Sequence, residues 1–179
     1  MKKAVWRYGL YAGVAELVLF VLLWLFIYIT HISQGVQGAV SWVNLLCPLI
    51  FVYFGIRYYR DRVNNGYISF LKAVKLGLLI VIIPAVSFAV IESVYVLVID
   101  PNFYQNISLY DIEQYRKTLP PAQFALKVKE IKDQVAIDNN PLYNFVMMVL
   151  TIGALGTLAT LASALLLFRR KARTTAITA

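Results

Sequence analysis

The sequence predicts an all-α membrane protein: four transmembrane helices in a bundle, both termini in the cytoplasm, and an extracytoplasmic amphipathic helical segment between the third and fourth. Three observations carry this reading. Apolar residues make up 60% of the chain and charged residues only 15%, well below the quarter or so usual in soluble domains. The apolar residues fall in four long runs, each longer than a buried core helix needs. Lys and Arg gather at alternate ends of those runs. No low-complexity tract or internal repeat interrupts the pattern, so residues 1–179 read as one integral membrane domain.

The first span, 8–29, follows Lys2, Lys3 and Arg7 and is broken only by Glu16. It would extend about 33 Å, enough to cross the hydrocarbon layer. A secretory signal has an apolar centre of about 7–15 residues and a small-residue cleavage site, so this run reads as a retained helix. Thr30 to Gly38, with Ser33, Gln34 and two glycines, reads as a short polar reversal. The second span, 36–56, contains Cys47-Pro48 and stops at Arg57-Tyr58-Tyr59-Arg60-Asp61-Arg62. Its proline is tolerable where neighbouring helices satisfy the freed carbonyl.

Asn64-Asn65-Gly66 is a turn signal, after which Phe70 to Lys75 leads into the third span, 73–99, closed by Asp100-Pro101-Asn102. From Phe103 to Asn140 charges of both signs alternate with single apolar residues, as in a water-facing segment. Within it Pro121 suits a helix start, and Phe124, Val128, Ile131 and Val135 recur at spacings of four, three and four, which predicts an amphipathic helix. Asn139-Asn140-Pro141 punctuates, and the fourth span, 142–168, ends at Arg169-Arg170-Lys171 and a polar tail.

Orientation follows from the cations. Lys2, Lys3, Arg7, Arg57, Arg60, Arg62, Lys72, Lys75, Arg169, Arg170, Lys171 and Arg173 are twelve of the seventeen Lys and Arg, and four spans put them all on one side. The positive-inside rule makes that side cytoplasmic. Topogenesis accounts for the clusters at Arg57 to Arg62 and Arg169 to Arg173, with binding of anionic lipid head groups as the alternative. Tyr8, Tyr58, Tyr59, Tyr67, Tyr104 and Tyr143 fall near the expected interfaces, where amphipathic rings belong.

The net charge of +8 would suggest nucleic acid in a soluble chain, but its placement at span ends assigns it to the bilayer, and no nucleic-acid partner is expected. Cys47 and His31 are each the sole residue of their kind, which removes an intramolecular disulfide, a cysteine metal cluster and most His-based catalytic arrangements. No Gly-rich phosphate loop, nucleophile elbow, HExxH or CxxC occurs. No cofactor, metal or catalytic residue is therefore assigned. The sequon Asn106-Ile107-Ser108 is read as a chance match.

The candidate intramembrane polar site comprises Glu16, Glu92, Thr157, Thr160 and Ser163. Glu16 lies near mid-membrane with no basic residue at its depth, and an ionised carboxylate there costs several kcal/mol unless it is neutralised or meets polar partners. Thr157, Thr160 and Ser163 lie at a similar depth and are the expected partners. Glu92 lies about 12 Å before Asp100, beside Ser93 and Tyr95, which can hydrogen-bond to it. The functional reading is a proton or cation site; the structural one is a hydrogen-bonded carboxyl that sets helix packing. Gly153, Gly156, Thr160 and Ser163 form one small face of the fourth helix, and Gly9 and Gly13 offer a matching surface on the first.

Several short blocks occur in order around these spans. They are Lys2-Lys3 with Tyr8-Gly9-Leu10; Phe54-Gly55-Ile56-Arg57-Tyr58-Tyr59-Arg60-Asp61 with Gly66; Ser69-Phe70-Leu71-Lys72-Ala73 with Lys75-Leu76-Gly77; Glu92-Ser93-Val94-Tyr95; Asn140-Pro141-Leu142; and Ser163 to Leu167 with Arg169-Arg170. In these blocks the chain resembles, over nearly its full length, the bacterial membrane proteins grouped as domain of unknown function 4199. The resemblance implies a multi-pass protein of the bacterial cytoplasmic (inner) membrane and supplies no activity or assigned site. The expected function is a non-enzymatic structural or partner-regulating membrane component, with the lipid bilayer and a membrane protein or a second copy as partners. The alternative is a proton- or cation-coupled carrier or channel subunit using the intramembrane carboxyls.

Overall fold

The computed structural model describes residues 1–169; Arg170, Lys171 and Arg173 of the basic tail lie outside the described residues. Seven α-helices follow one another: α1 (Lys2–Thr30), α2 (Gln34–Leu46), α3 (Ile50–Tyr58), α4 (Phe70–Val94), α5 (Phe103–Thr118), α6 (Pro121–Asp138) and α7 (Pro141–Leu167). No strand occurs among the described residues. Four helical stretches are long and apolar enough to cross a membrane: Lys2–Thr30, Gly35–Val63, Phe70–Ile99 and Pro141–Leu167. The all-helical class and the four apolar spans expected from the sequence are thus observed.

The stretches run past the apolar segments at their ends, because backbone pairing continues as long as the residues favour a helix, whether or not they are apolar. The polar reversal expected over Thr30 to Gly38 shrinks to His31–Ser33, with α2 already under way at Gln34. His31 ends α1 in the left-handed region, φ 49°, with its N–H bonded to Ile27 O at 3.0 Å. In the second stretch Pro48 falls in a 3-10 turn, Cys47–Leu49, that joins α2 to α3, as expected of a residue that lacks an N–H and collides with the preceding turn. Pro84, by contrast, sits inside an uninterrupted α4. Wide π turns follow α3 (Tyr59–Val63) and α4 (Tyr95–Ile99), closed by Asn64 N–H to Tyr59 O at 3.0 Å and Asp100 N–H to Tyr95 O at 2.9 Å. The expected turn at Asn64-Asn65-Gly66 then takes Asn65 and Gly66 to positive φ, 53° and 83°, conformations that asparagine and glycine adopt at least cost.

The chain forms two compact units. The first holds Met1–Glu16, Leu45–Pro84 and the chain from Ile152. Its core is built from Val52 and Ile56 of α3, Leu76 and Ile80 of α4, and Ala164 and Leu167 of α7. Glycines let these helices approach closely. A Cβ on Gly77 of α4 would lie 2.8 Å from Thr160 Oγ1, one on Gly156 of α7 would strike Val81, and one on Gly9 of α1 would strike Ile83. The small face of α7 therefore meets α4 at Gly156 and Thr160, and Gly9 also meets α4, where the sequence suggested a direct match of the first and fourth spans. Branched side chains of α4 fit the spaces the glycines leave.

The second unit holds Leu17–Asn44 and Ala85–Thr151. Within it α5 and α6 pack against each other, joined by Leu119-Pro120. Leu119 is extended, φ −106° and ψ 145°, as the residue before a proline must be, and Pro121 opens α6 as expected. Phe124, Val128, Ile131 and Val135 are the half-buried face of α6, while neither α5 nor α6 has a fully buried residue. Asn140 caps α7, its Oδ1 accepting from the N–H groups of Leu142 at 3.1 Å and Tyr143 at 3.2 Å.

A test of the packing follows. Gly77→Leu should lower the unfolding free energy by about 1–3 kcal/mol through overpacking against Thr160, whereas Gly38→Ala, where an added Cβ meets nothing within 4 Å, should be neutral or slightly stabilising. Denaturant titration in mild detergent, followed by circular dichroism, measures both; equal stability of the two variants would contradict the close approach of α4 and α7.

Candidate functional site

Buried polar side chains occur in both units. In the first unit Glu16 is 1% exposed and its Oε2 has no hydrogen-bond partner. Thr160 is fully buried with its Oγ1 likewise unpartnered, and Ser163 is buried close behind it on α7. Thr157 satisfies itself locally, its hydroxyl donating to Gly153 O one turn back at 2.7 Å. The expectation that these three hydroxyls would bond the Glu16 carboxyl is not met: no hydrogen bond joins them among the described residues. A threonine in an apolar helix can reach its own backbone for less entropy than a neighbouring helix, and Thr157 does so.

In the second unit a hydrogen-bonded grouping centres on Glu92, near the end of α4. Its Oε1 accepts a hydrogen bond from Tyr104 OH at 2.9 Å. Tyr104 in turn accepts one from the side-chain amide of Asn144, which is 6% exposed. Glu92 Oε2, Ser93 Oγ and Asn144 Oδ1 are buried without partners. The sequence expectation named Ser93 and Tyr95 as donors to Glu92; the donor is Tyr104, twelve residues on, because Ser93 is left unpaired and Tyr95 is used for packing. The ring of Tyr95 meets Phe20 edge-on at 5.6 Å and Phe103 at 5.4 Å, and Phe103 meets Tyr104 at 5.3 Å. This aromatic run fixes the phenol.

Local structure places each member. The π turn Tyr95–Ile99 and the bond from Phe103 N–H to Asp100 O, 3.0 Å, reverse the chain so that the first turn of α5 returns to the end of α4. The Asn140 cap starts α7 so that Asn144 falls one turn in. Burial, reinforced by the neighbouring carboxylate of Glu92, raises the affinity of Tyr104 for its proton above that of an ordinary phenol, so Tyr104 stays a donor. The bonds then run in one sense, amide to phenol to carboxylate. Should Glu92 carry a proton, the sense can reverse: the carboxyl donates to the phenol oxygen and the phenol donates to the amide oxygen of a rotated Asn144. The arrangement can therefore take up one proton on Glu92 by switching from the first pattern to the second, and release it by switching back. It can also offer several oxygens to a small cation. Among the described residues no group of three or more His, Cys, Asp or Glu is placed to hold a metal ion.

Of the five residues expected, Glu16, Thr157, Thr160 and Ser163 belong to the first unit and Glu92 to the second. Tyr104 and Asn144 were missed. Tyr104 was read as one more interfacial tyrosine, and Asn144 is a lone amide in the first turn of an apolar helix, which was the available signal.

Four helices of this length and apolarity, with two acidic side chains inside them, define a multi-pass membrane protein. Residues 7–169 match the family described as "Protein of unknown function (DUF4199)", and the chain belongs to that family. No curated protein and no solved structure matches the chain.

Removal of the phenol donor tests the linkage. Tyr104→Phe should destabilise the protein by roughly 1–3 kcal/mol, the cost of leaving a buried acceptor unpaired, and Tyr143→Phe, on the exposed side of the same region, should change little. Thermal unfolding in detergent monitored by near-ultraviolet circular dichroism separates them; a silent Tyr104→Phe would mean that water, not Glu92, is the partner of the phenol.

Proposed function

We propose that this chain is a non-enzymatic component of a bacterial cytoplasmic membrane that binds the extramembrane part of another membrane protein through the α5–α6 hairpin. The observation that carries the reading is that α5 and α6 pack on each other and are tied down through Tyr104, yet bury none of their own residues. The hairpin is linked to α4 through Tyr104, while Leu109 and Leu126, 64% and 72% exposed, stand among charges of both signs. Isolated exposed leucines are ordinary on a surface, but on a hairpin linked in this way they are well suited to anchor a contact. The hairpin is extracytoplasmic in this proposal, supported by Lys2, Lys3, Arg7, Arg57, Arg60, Arg62, Lys72, Lys75 and Arg169 at the opposite ends of the spans.

Photocrosslinking in native membranes tests it. A photoreactive residue at position 109 or 126 should capture one reproducible protein, and the same probe at position 124, on the half-buried face of α6, should not. Capture of a second copy alone would make the protein a homo-oligomer, and no protein adduct at either exposed position would end the proposal.

A second reading is favoured by the unpartnered oxygens of Glu16 and Glu92: a proton- or cation-coupled carrier or channel subunit. In proteoliposomes with an internal pH-sensitive dye, Glu92→Gln should reduce proton flux at least tenfold and Glu16→Gln should do likewise. Unchanged flux in both variants rules out a carboxyl-based mechanism.

A further inference from the structure

The first unit contains a cavity of about 580 Å³ that neither Glu16 nor Glu92 lines. Asn64, Asn65, Tyr67, Ser69, Lys72 and Arg169 supply its polar lining. Its walls follow from the local chain path. The positive-φ turn at Asn65 and Gly66 swings the chain back, and Tyr67 to Ser69 runs extended into α4. There Ile68 forms an isolated antiparallel bridge with Arg169, N–H to O at 3.2 Å in one direction and 2.9 Å in the other. This bridge holds the chain leaving α7 beside the start of α4. Without it, Lys72 and Arg169, nearly a hundred residues apart in sequence, would have no reason to line one concavity.

The electrostatics of the cavity have one sign. No acidic residue lines it. The closest acid in the sequence, Asp61, is occupied by Arg60, whose Nε and Nη2 donate to it at 2.6 and 3.1 Å, and by Arg57 at 3.7 Å, although it lies near enough to Arg169 for their charges to interact. Lys72 is held with its ammonium 5.2 Å above the ring of Tyr59, and neither Lys72 nor Arg169 forms an ion pair among the described residues. Ser69, which lines the cavity, precedes α4, its carbonyl accepting from Ala73 N–H at 2.9 Å, so a 25-residue helix begins at the cavity wall. Side-chain amides and hydroxyls complete a lining rich in donors.

Depth narrows the ligand. Val63 ends one membrane-crossing stretch, Phe70 begins the next and Leu167 ends the last, so the cavity lies where hydrocarbon gives way to water, at the level of lipid phosphates. We propose that this cavity binds a phosphate ester anion, in the form of one anionic lipid head group. Topogenesis requires only that basic residues be present at this end of the spans. It does not require two of them to share one open concavity whose described lining holds no acid, at a helix start, and that placement is what the site adds.

The test uses the full chain in nanodiscs of mixed phosphatidylglycerol and phosphatidylcholine, with retained lipid read by native mass spectrometry. One phosphatidylglycerol per chain should be retained, and the double variant Lys72→Gln/Arg169→Gln should weaken that retention about thirtyfold, the scale for two interfacial charges. The variant Arg62→Gln/Lys75→Gln, which removes the same charge from exposed positions outside the cavity, should retain it. Ser69→Trp, which fills the cavity without altering charge, should lose it, and provides a second handle should the charge variant not fold. Inorganic phosphate added to phosphatidylcholine-only discs separates the sources. If it stabilises the wild type but not Lys72→Gln/Arg169→Gln, and no lipid is retained, the ligand is a soluble phosphate ester. Equal loss in both double variants, or retention of phosphatidylcholine as readily as phosphatidylglycerol, overturns the site.

Discussion

Hydrocarbon has no hydrogen-bond donors or acceptors, so every polar group this chain carries into it must be satisfied by the chain itself. The backbone is closed by a hydrogen bond where each helix changes pitch. At Cys47–Leu49 the turn tightens to accommodate Pro48, and after Tyr58 and Val94 it widens, with a backbone bond closing each end. The ends of the helices follow the same logic: Asn140 supplies an acceptor to the first turn of α7, and His31 takes a left-handed conformation that keeps its N–H bonded to α1. Irregular backbone is thus present, and a backbone bond closes each change of pitch.

Side chains meet the constraint less completely. Thr157 satisfies its hydroxyl on its own helix, whereas Thr160, one turn further on and pressed against Gly77, does not. An unpaired buried hydroxyl costs about 1–3 kcal/mol, which the close approach of α4 and α7 must offset by dispersion contacts. The carboxyls carry higher stakes. Glu92 engages one oxygen through Tyr104 and leaves the other free, and Glu16 leaves Oε2 without a partner at 1% exposure. Native interiors keep few such groups, and those they keep tend to mark places where a proton, an ion or a partner changes the state of the protein. The two carboxyls differ in kind: Glu92 belongs to a chain of three polar groups that can reverse its sense, and Glu16 is buried with its Oε2 unpartnered.

The spans were legible because an apolar run of twenty or more residues has one stable solution in a bilayer, and Pro121 with the stripe Phe124, Val128, Ile131 and Val135 located α6 for similar reasons of period. The helix α5 was not, because Asn106 and Ser108 interrupt its first turns and three of its seven apolar residues are tyrosines that suit an interface equally well. The reversal after α1 was drawn too wide since Gly35 and Gly38 look like turn residues, yet in a helix anchored by its apolar neighbours each costs only about 1 kcal/mol. The candidate site was legible in its acids and not in their partners. Depth along a helix identifies which residues can meet, but the contact of Tyr104 with Asn144 spans forty residues and depends on a π turn and an N-cap whose combined rotation no periodicity records.

The basic residues illustrate how one feature can satisfy two requirements. Insertion into a membrane responds to how many cations flank each span, a quantity indifferent to side-chain geometry. Arg57 and Arg60 pair with Asp61 on the surface, where such bonds contribute at most about 1 kcal/mol, and Arg7 lies against Tyr11 and Tyr58 at 5.7 and 5.4 Å. These cations are engaged by groups of their own unit. Among the described residues Lys72 and Arg169 are engaged by no carboxylate within ion-pair reach, and the Ile68–Arg169 bridge fixes the backbone beside the cavity they share. A residue retained only for its charge could sit anywhere on that rim; a pair brought together by a tertiary backbone contact has a geometry that charge counting does not demand.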